Sequence, residues 1–281
     1  MFETFTLNLR GKLHVYDRPQ VMGIVNVTPD SFWSGSRSQT FADIASRVEQ
    51  MLSAGVDFID IGGCSTRPGS AMADESTEME RVRLGLSAIR SVSTDVPVSV
   101  DTFRSGVARL AVAEWGADIV NDISGGDMDA DMFRTVAALG VPYVLMHMRG
   151  TPETMQQFTD YVDPVADVIR ELSVKLRELR LAGVSDVIVD PGFGFSKTVE
   201  QNYRLLSGLT EIARALGAPV LAGVSRKSMI TKALGVDVSE AMAGTIALGS
   251  FLLDRGTSFL RVHDVKEARA TVDLFTLIDR N

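Results

Sequence analysis

The chain has 281 residues, 45% of them hydrophobic, and its 28 basic and 36 acidic side chains give a net charge of −8. That length suits one domain, residues 1–281, built as a barrel of roughly 250 residues, and the acidic balance excludes non-specific binding to nucleic acid or an anionic membrane. A single cysteine, Cys64, excludes an internal disulfide and fits a reducing, cytoplasmic compartment, and no stretch is apolar enough for a membrane span or signal peptide.

Residues 2–16, with a turn near Gly11, fit a β-hairpin that covers one end of whatever follows. Apolar residues 21–25 then end at Asn26. Phe41, Ile44, Ala45, Val48, Met51 and Leu52 recur at three and four residues, which makes one apolar helix face, and Gly55 stops that helix. Phe58 and Ile59 run into Asp60, and a helix is predicted at 75–92. Residues 96–100 end at Asp101 before a helix at 105–115. Ile119 and Val120 reach Asn121, followed by a helix at 131–139, and 144–146 reach His147, followed by a helix at 164–181. Residues 187–189 reach Asp190 ahead of a helix at 199–216. Residues 220–224 lead into Ser225, Arg226 and Lys227, with a helix at 239–253. Residues 259–262 contain Arg261, run into His263 and precede a helix at 265–278.

Strand and helix alternating eight times predict an α/β fold, a (β/α)8 TIM barrel preceded by a β-hairpin. Parallel strands open their C-terminal ends on one face, so the polar residues that end these runs should meet in one site. Two connections, 28–39 and 64–74, are long and rich in Ser, Gly, Arg and Pro, which suits active-site loops.

The residues at those ends form motifs: Asn26-Val27-Thr28-Pro29-Asp30-Ser31-Phe32, Asp60-Ile61-Gly62-Gly63-Cys64-Ser65-Thr66-Arg67-Pro68-Gly69 and Asn121-Asp122-Ile123-Ser124-Gly125. Further along come Leu145-Met146-His147-Met148, Asp190-Pro191-Gly192-Phe193-Gly194-Phe195, Ser225-Arg226-Lys227-Ser228 and Arg261-Val262-His263-Asp264. In order and over nearly the whole chain they resemble the dihydropteroate synthase family, pterin-binding TIM barrels of folate biosynthesis and targets of sulfonamides. The resemblance implies condensation of 6-hydroxymethyl-7,8-dihydropterin pyrophosphate with p-aminobenzoate, releasing pyrophosphate, in a cytoplasmic homodimer joined through helices near the C-terminus.

A pterin edge of N–H donors and ring acceptors needs buried carboxylates and an amide. Asp101, Asn121 and Asp190 fit that need, with Lys227 beside them and Ile123 and Met146 as apolar walls. The alternative is that the strand-end Asp and Asn cap the following helices. A pyrophosphate calls for cations and helix-start amides. Asn26, Arg67, Arg261 and His263 are the candidates, although Arg261 and His263 could instead pair with Asp264. The resemblance implies that Asn26 also contacts a Mg2+ ion that arrives with substrate. His14, His147 and His263 lack transition-metal spacing. For p-aminobenzoate, the resemblance implies a pocket lined by Thr66, Pro68, Phe195 and Lys227, with Ser228 at the carboxylate and Phe32 closing over it. Phe193 and Phe195 could equally be core residues.

Catalysis on this reading falls to Asp101, Asp190, Lys227, Arg261 and His263, which stabilise separating charge as pyrophosphate leaves and the amine attacks the pterin methylene. The two long loops depart from the family pattern. Trp33-Ser34-Gly35-Ser36 stands where members commonly have Ser-Asp-Gly-Gly, and Cys64 stands where Glu is usual. Three other readings share some of these residues: a pterin-binding homologue without synthase activity, a pterin-dependent methyltransferase, and a Schiff-base aldolase using Lys227.

Overall fold

A computed structural model of the chain describes residues 2–28, 40–65 and 72–279. Eight parallel strands run in the order β8-β7-β6-β5-β4-β3-β10-β9, and a parallel bridge between Val189 and Val220 joins the two ends of that order. They are β3 (Gln20–Asn26), β4 (Phe58–Gly62), β5 (Val98–Asp101), β6 (Ile119–Asp122), β7 (Tyr143–Met146), β8 (Val187–Asp190), β9 (Leu221–Ala222) and β10 (Phe259–Val262). The sheet is therefore a TIM barrel, as the alternation predicts. No helix among the described residues is long and apolar enough to cross a membrane.

Helices surround the strands, each burying one stripe. α1 (Phe41–Ser53) starts at a capping box between Thr40 and Asp43 and buries Ile44, Val48 and Met51, three of the positions its periodicity marks. α2 (Glu75–Val92) matches its predicted span. α3 (Ser105–Ala113), α4 (Met132–Leu139) and α5 (Pro164–Ala182) differ from expectation by at most two residues at an end. The single helix expected at 199–216 is two, α6 (Val199–Ser207) and α7 (Leu209–Leu216). The break falls at Gly208, where a Cβ would lie 2.5 Å from Val165 Cγ2 on α5, so close packing excludes a side chain. A short helix, α8 (Ser228–Leu234), follows β9. α9 (Met242–Asp254) begins later than expected, because Asp237 and Glu240 close a capping box around a 3-10 turn at Val238–Glu240. α10 (Val265–Asp279) ends the fold.

The hairpin of β1 (Phe5–Leu9) and β2 (Lys12–Tyr16) turns at Arg10 and Gly11. Its buried Leu7 and Leu9 pack on Met22, Phe58, Ile119, Val144, Ile188, Leu221 and Phe259, which come from seven barrel strands. This apolar plug closes the N-terminal end of the barrel. It leaves the opposite end as the place for chemistry.

Candidate active site

Strand register places the site. Asn26 lies beside Gly62, Gly62 beside Asp101 and Asp101 beside Asn121, so one row across β3 to β6 carries two amides and a carboxylate. Laterally paired residues share a face. Gly62 has no side chain to fill the row, and a Cβ there would sit 3.5 Å from Asp101 Cβ. Across the barrel, Asp190 is level with Met146. A cavity at the C-terminal mouth is lined by Asn26, Asp101, Asn121, Ile123, Met146, Asp190, Phe195, Lys227, Arg261 and His263. Each of these positions was expected from the sequence. Ser228 is the exception, since it lines a neighbouring polar cleft with Gly194, Lys197 and Lys232. Phe32, Trp33, Ser34, Thr66, Arg67 and Pro68 lie outside the described residues.

The sequence reading assigned no role to Asp60. Two residues before Gly62 on β4, it points inward one layer lower and is 0% exposed. Arg261 Nε donates to it at 2.6 Å, and Arg261 Nη2 donates to Asp101 at 2.7 Å. Asn121 Nδ2 donates to Asp60 at 3.2 Å. A carboxylate only accepts, so Asp60 fixes the amide orientation and leaves the Asn121 oxygen for a ligand. The signal was available, because Asp60 ends an apolar run as Asp101 and Asp190 do.

None of the three pterin candidates caps a helix among the described residues. Arg104 and Thr198 hold the N-cap positions of α3 and α6. Local turn bonding after β6 belongs to Asp122, which accepts from Ser124 N at 2.7 Å, Gly126 N at 2.9 Å and the Tyr143 hydroxyl at 2.7 Å. Asp190 accepts from Gly192 N at 2.7 Å. Burial raises Asp101 to about 7 against the pull of Arg261, and burial also raises Asp190, with Lys227 opposing. Burial works against the Arg261 charge too, but Asp60 and Asp101 more than offset it, so the guanidinium stays cationic.

Asp264 does not pair with Arg261 or His263. Its partner is Arg226, through Nε at 2.8 Å and Nη2 at 2.9 Å. Arg226 adopts a left-handed backbone, φ 56°, costing about 1 kcal/mol or more for a non-glycine residue. Bonds from its side chain to the carbonyls of Val238 and Ser239 hold it there. The strained turn delivers Lys227 to the mouth, where its ammonium donates to the Phe193 carbonyl at 2.6 Å and lies 4.7 Å from the Phe195 ring centroid. Burial lowers Lys227 to about 8, with Asp190 opposing.

His263 departs from expectation in charge. Burial, with Arg261 next, lowers it to about 3, so it is neutral at physiological pH rather than a cation. Ser225 Oγ accepts from His263 N at 3.2 Å and lies 3.1 Å from His263 Nδ1. With the Ser225 hydroxyl donating to Nδ1, the neutral ring carries its proton on Nε2 and presents a donor to the mouth. Phe193 is fully buried core, whereas Phe195 joins Ile123, Met146, Phe103, Met148 and Met155 in an apolar cluster at the mouth. His147 serves the framework, bonded to Lys197 and Glu171.

A family model described as "Pterin binding enzyme" matches residues 22–263. A dihydropteroate synthase from a Synechocystis species is 42% identical over 258 residues, covering 91% of this chain and 88% of that protein. The chain belongs to the dihydropteroate synthase family. The Escherichia coli K12 dihydropteroate synthase is 39% identical over 263 residues, covering 93% of this chain and 91% of its own. A Yersinia pestis dihydropteroate synthase, solved in a sulfonamide drug complex, superposes with a TM-score of 0.92 at 36% identity, covering 98% and 99% of the two chains. A Xanthomonas albilineans dihydropteroate synthase, solved with 4-aminobenzoic acid, gives 0.90 at 36% identity, covering 99% and 100%. Family membership favours dihydropteroate synthase chemistry over the methyltransferase and aldolase readings.

Proposed function

We propose that this cavity carries out the family's condensation, joining 6-hydroxymethyl-7,8-dihydropterin pyrophosphate to p-aminobenzoate to give 7,8-dihydropteroate and pyrophosphate. As a member of that family the protein is a transferase of folate biosynthesis. One observation carries the assignment of roles. The same cavity presents Asp101, Asn121 and Asp190, the donors Arg261, Lys227 and His263, and an apolar wall of Ile123, Met146 and Phe195.

The pterin edge pairs with Asp101, Asp190 and the Asn121 oxygen. As the methylene–oxygen bond breaks, its electron pair leaves with pyrophosphate and positive charge spreads into the pterin ring. Asp101 and Asp190 favour that charge, while Arg261, as a cation, and His263, as a neutral Nε2–H donor, face the leaving phosphate. The amine lone pair then forms the carbon–nitrogen bond, and its proton leaves to solvent. Phe195 and Lys227 flank the amine substrate, and a solved relative holding 4-aminobenzoic acid supports an occupant of that class.

For Mg2+, the Asn26 amide oxygen at the rim is a hard neutral donor. No cluster of three or more His, Cys, Asp or Glu among the described residues offers a cage. That donor set fits an ion held mostly by phosphate oxygens and water. Bound there, the ion would neutralise charge on the leaving group.

The homodimer proposal rests on α9. Thr245, Ser250 and the terminal Asp254 are its only polar side chains, yet Ile246 and Phe251 are exposed. Leu274, Leu277 and Ile278 are exposed on α10, which packs beside it. A helix apolar on every side is normally covered, and a second copy would cover this one. Ile246→Glu is expected to give monomers by sedimentation, and an unchanged dimer would remove α9 from the interface. A cytoplasmic location is proposed from the lone cysteine and the absence, among the described residues, of any membrane-spanning helix.

Pyrophosphate release measured with and without p-aminobenzoate tests the function. Stoichiometric dihydropteroate is expected only with both substrates, and no product under any condition would restore the non-catalytic pterin-binding reading. p-Aminobenzoate is expected to bind weakly to the free enzyme and much more tightly with Mg2+ and pyrophosphate present. Equal affinity in both states would contradict that coupling.

A further inference from the structure

Behind the Gly192–Phe195 turn lies a chain of polar side chains, buried at Lys197 and His147, that the reaction above does not use. Lys197 is 4% exposed. Its ammonium reaches the carbonyl oxygens of Gly192 and Phe195, each at 3.1 Å, and His147 Nδ1 at 3.0 Å. On the far side, His147 Nε2 lies 2.9 Å from Glu171 Oε2. Glu171 in turn pairs with Arg149, whose guanidinium sits 3.8 Å from the Tyr161 ring centroid. Burial, reinforced by the Lys197 charge, lowers His147 to about 4, so the ring is neutral near pH 7. Its Nδ1 accepts from Lys197 and its Nε2–H donates to Glu171.

We propose that Lys197 is a positioning residue for p-aminobenzoate, clamping the carbonyls of the Gly192–Phe195 turn so that Phe195 and Lys227 hold the geometry of the second-substrate pocket. The proposal rests on the reading that Phe195 and Lys227 line that pocket. An ammonium has three donors, and all three are already taken by protein acceptors. Lys197 therefore acts on the turn, not on a ligand. The other side of the same turn faces the site. Gly192 N bonds Asp190, the Phe193 carbonyl receives Lys227, and the Phe195 ring lies against the Lys227 ammonium.

The turn has no room to settle elsewhere. Gly192 has φ +73°, and a Cβ on it would meet the His147 carbonyl oxygen at 1.9 Å. Ser196, fully buried, holds φ 45° at the far end. The clamp fixes the remaining freedom, which is the tilt of the Phe193–Phe195 segment over Lys227. Burial lowers Lys197 itself to about 7; Asp190 and Glu171 oppose that change, while Lys227 and Arg149 add to it. As pH rises past about 7 the ammonium loses its proton, leaving two donors for its three acceptors and loosening the clamp.

The test compares wild type with Lys197→Met, His147→Phe and Phe195→Ala, measuring thermal melting, pterin pyrophosphate affinity, and kcat and p-aminobenzoate KM across pH. In Lys197→Met the p-aminobenzoate KM is expected to rise about tenfold or more while pterin affinity stays within about threefold. Lys227 and Asp101 titrate near the same pH, so the decisive comparison is between profiles. Wild-type KM is expected to rise above about pH 7, and that rise should shrink in Lys197→Met. His147→Phe keeps the ring volume and removes one acceptor, and it should raise KM about threefold. It decides the matter if Lys197→Met does not fold. Phe195→Ala reports on the pocket itself and should raise KM about tenfold. If Phe195→Ala raises KM while the folded clamp variants leave it unchanged, the clamp is overturned and the pocket reading survives. An unchanged KM in Phe195→Ala overturns both. Equal losses of pterin and p-aminobenzoate binding in Lys197→Met would make Lys197 a general framework residue and also overturn the clamp.

Discussion

The two ends of the barrel both bury charge, and they treat it in opposite ways. At the plugged end, Asp118 just before β6 accepts from Arg10 Nε at 2.5 Å and Nη2 at 3.0 Å, from Arg90 Nη2 at 2.8 Å and from Val98 N at 2.8 Å. Asp186 similarly takes Asn8 N at 2.9 Å and ties the hairpin to β8. Both of these carboxylates have protein donors. At the open end Asp101, Lys227 and His263 have altered proton affinities, and Asn121 keeps an acceptor in reserve. Saturated charge holds a fold together, whereas charge left with spare bonding capacity is available to a ligand.

The sharpest way to break that contrast is to remove one cation from the open end. Arg261→Met takes away the donor to the leaving phosphate and the counter-charge of Asp60 and Asp101. Steady-state kinetics should show kcat/KM down by about 10²–10³-fold, or about 3–4 kcal/mol. A loss of less than about tenfold would remove Arg261 from the transition state. The matching change at the plugged end is Asp118→Ala. It strips both arginines and a backbone N–H of their acceptor, and denaturant unfolding should show a loss of about 2–4 kcal/mol with kcat/KM nearly unchanged. If activity fell while stability held, the two ends would not be separable in this way.

Smaller effects refine the open end. Asp190→Asn replaces a carboxylate with a mixed donor and acceptor, and calorimetry should find pterin binding weaker by about 1–3 kcal/mol. Unchanged affinity would take Asp190 out of the pterin site. Asp101 supplies a pH signature. Its folded value, about 7, lies above the unfolded carboxylate value, so ionising it costs stability progressively as pH rises toward 7. The ionised form is the one that accepts a pterin N–H. Pterin affinity should therefore increase as pH rises through about 7, while folding stability falls as pH rises from about 4 toward 7. Asp101→Asn should flatten both, and a pterin affinity profile that keeps its step in that variant would assign the titration to another group.

Much of this was legible because parallel strands convert sequence position into place. Asn26, Asp101, Asn121 and Asp190 each follow an apolar run, and a barrel has one mouth for such ends to share. What stayed hidden depended on partners distant in sequence. Asp60 ends an apolar run as well, but its role emerges only when Arg261, 201 residues away, reaches it. The neutrality of His263 comes first from burial, with Arg261 next, and the Arg261-Val262-His263 motif does not show how deeply the ring is buried. The break at Gly208 was set by Val165 on another helix, and periodicity within one helix carries no information about its neighbours. Lys197 follows an obvious glycine-rich motif, yet its partner His147 comes from the end of β7, and the Glu171 that His147 bonds in turn comes from α5.

The junction of β8 with β9 has a consequence for motion. β9 has only two ladder residues, and it meets β8 through the one bridge between Val189 and Val220, supported by Val189 N on the Pro219 carbonyl at 2.9 Å. This makes it the thinnest seam in the wall. The two segments that rise from it are the Asp190 turn and the Ser225–Lys227 turn, so a molecule held by Asp190 and Lys227 together works as a staple across the seam. Substrate binding on that face should slow amide hydrogen exchange at Val189 and Val220, deep in the wall and away from any contact with the ligand. A loaded site should therefore stiffen the cylinder along one line, the line where its wall is held by the fewest bonds.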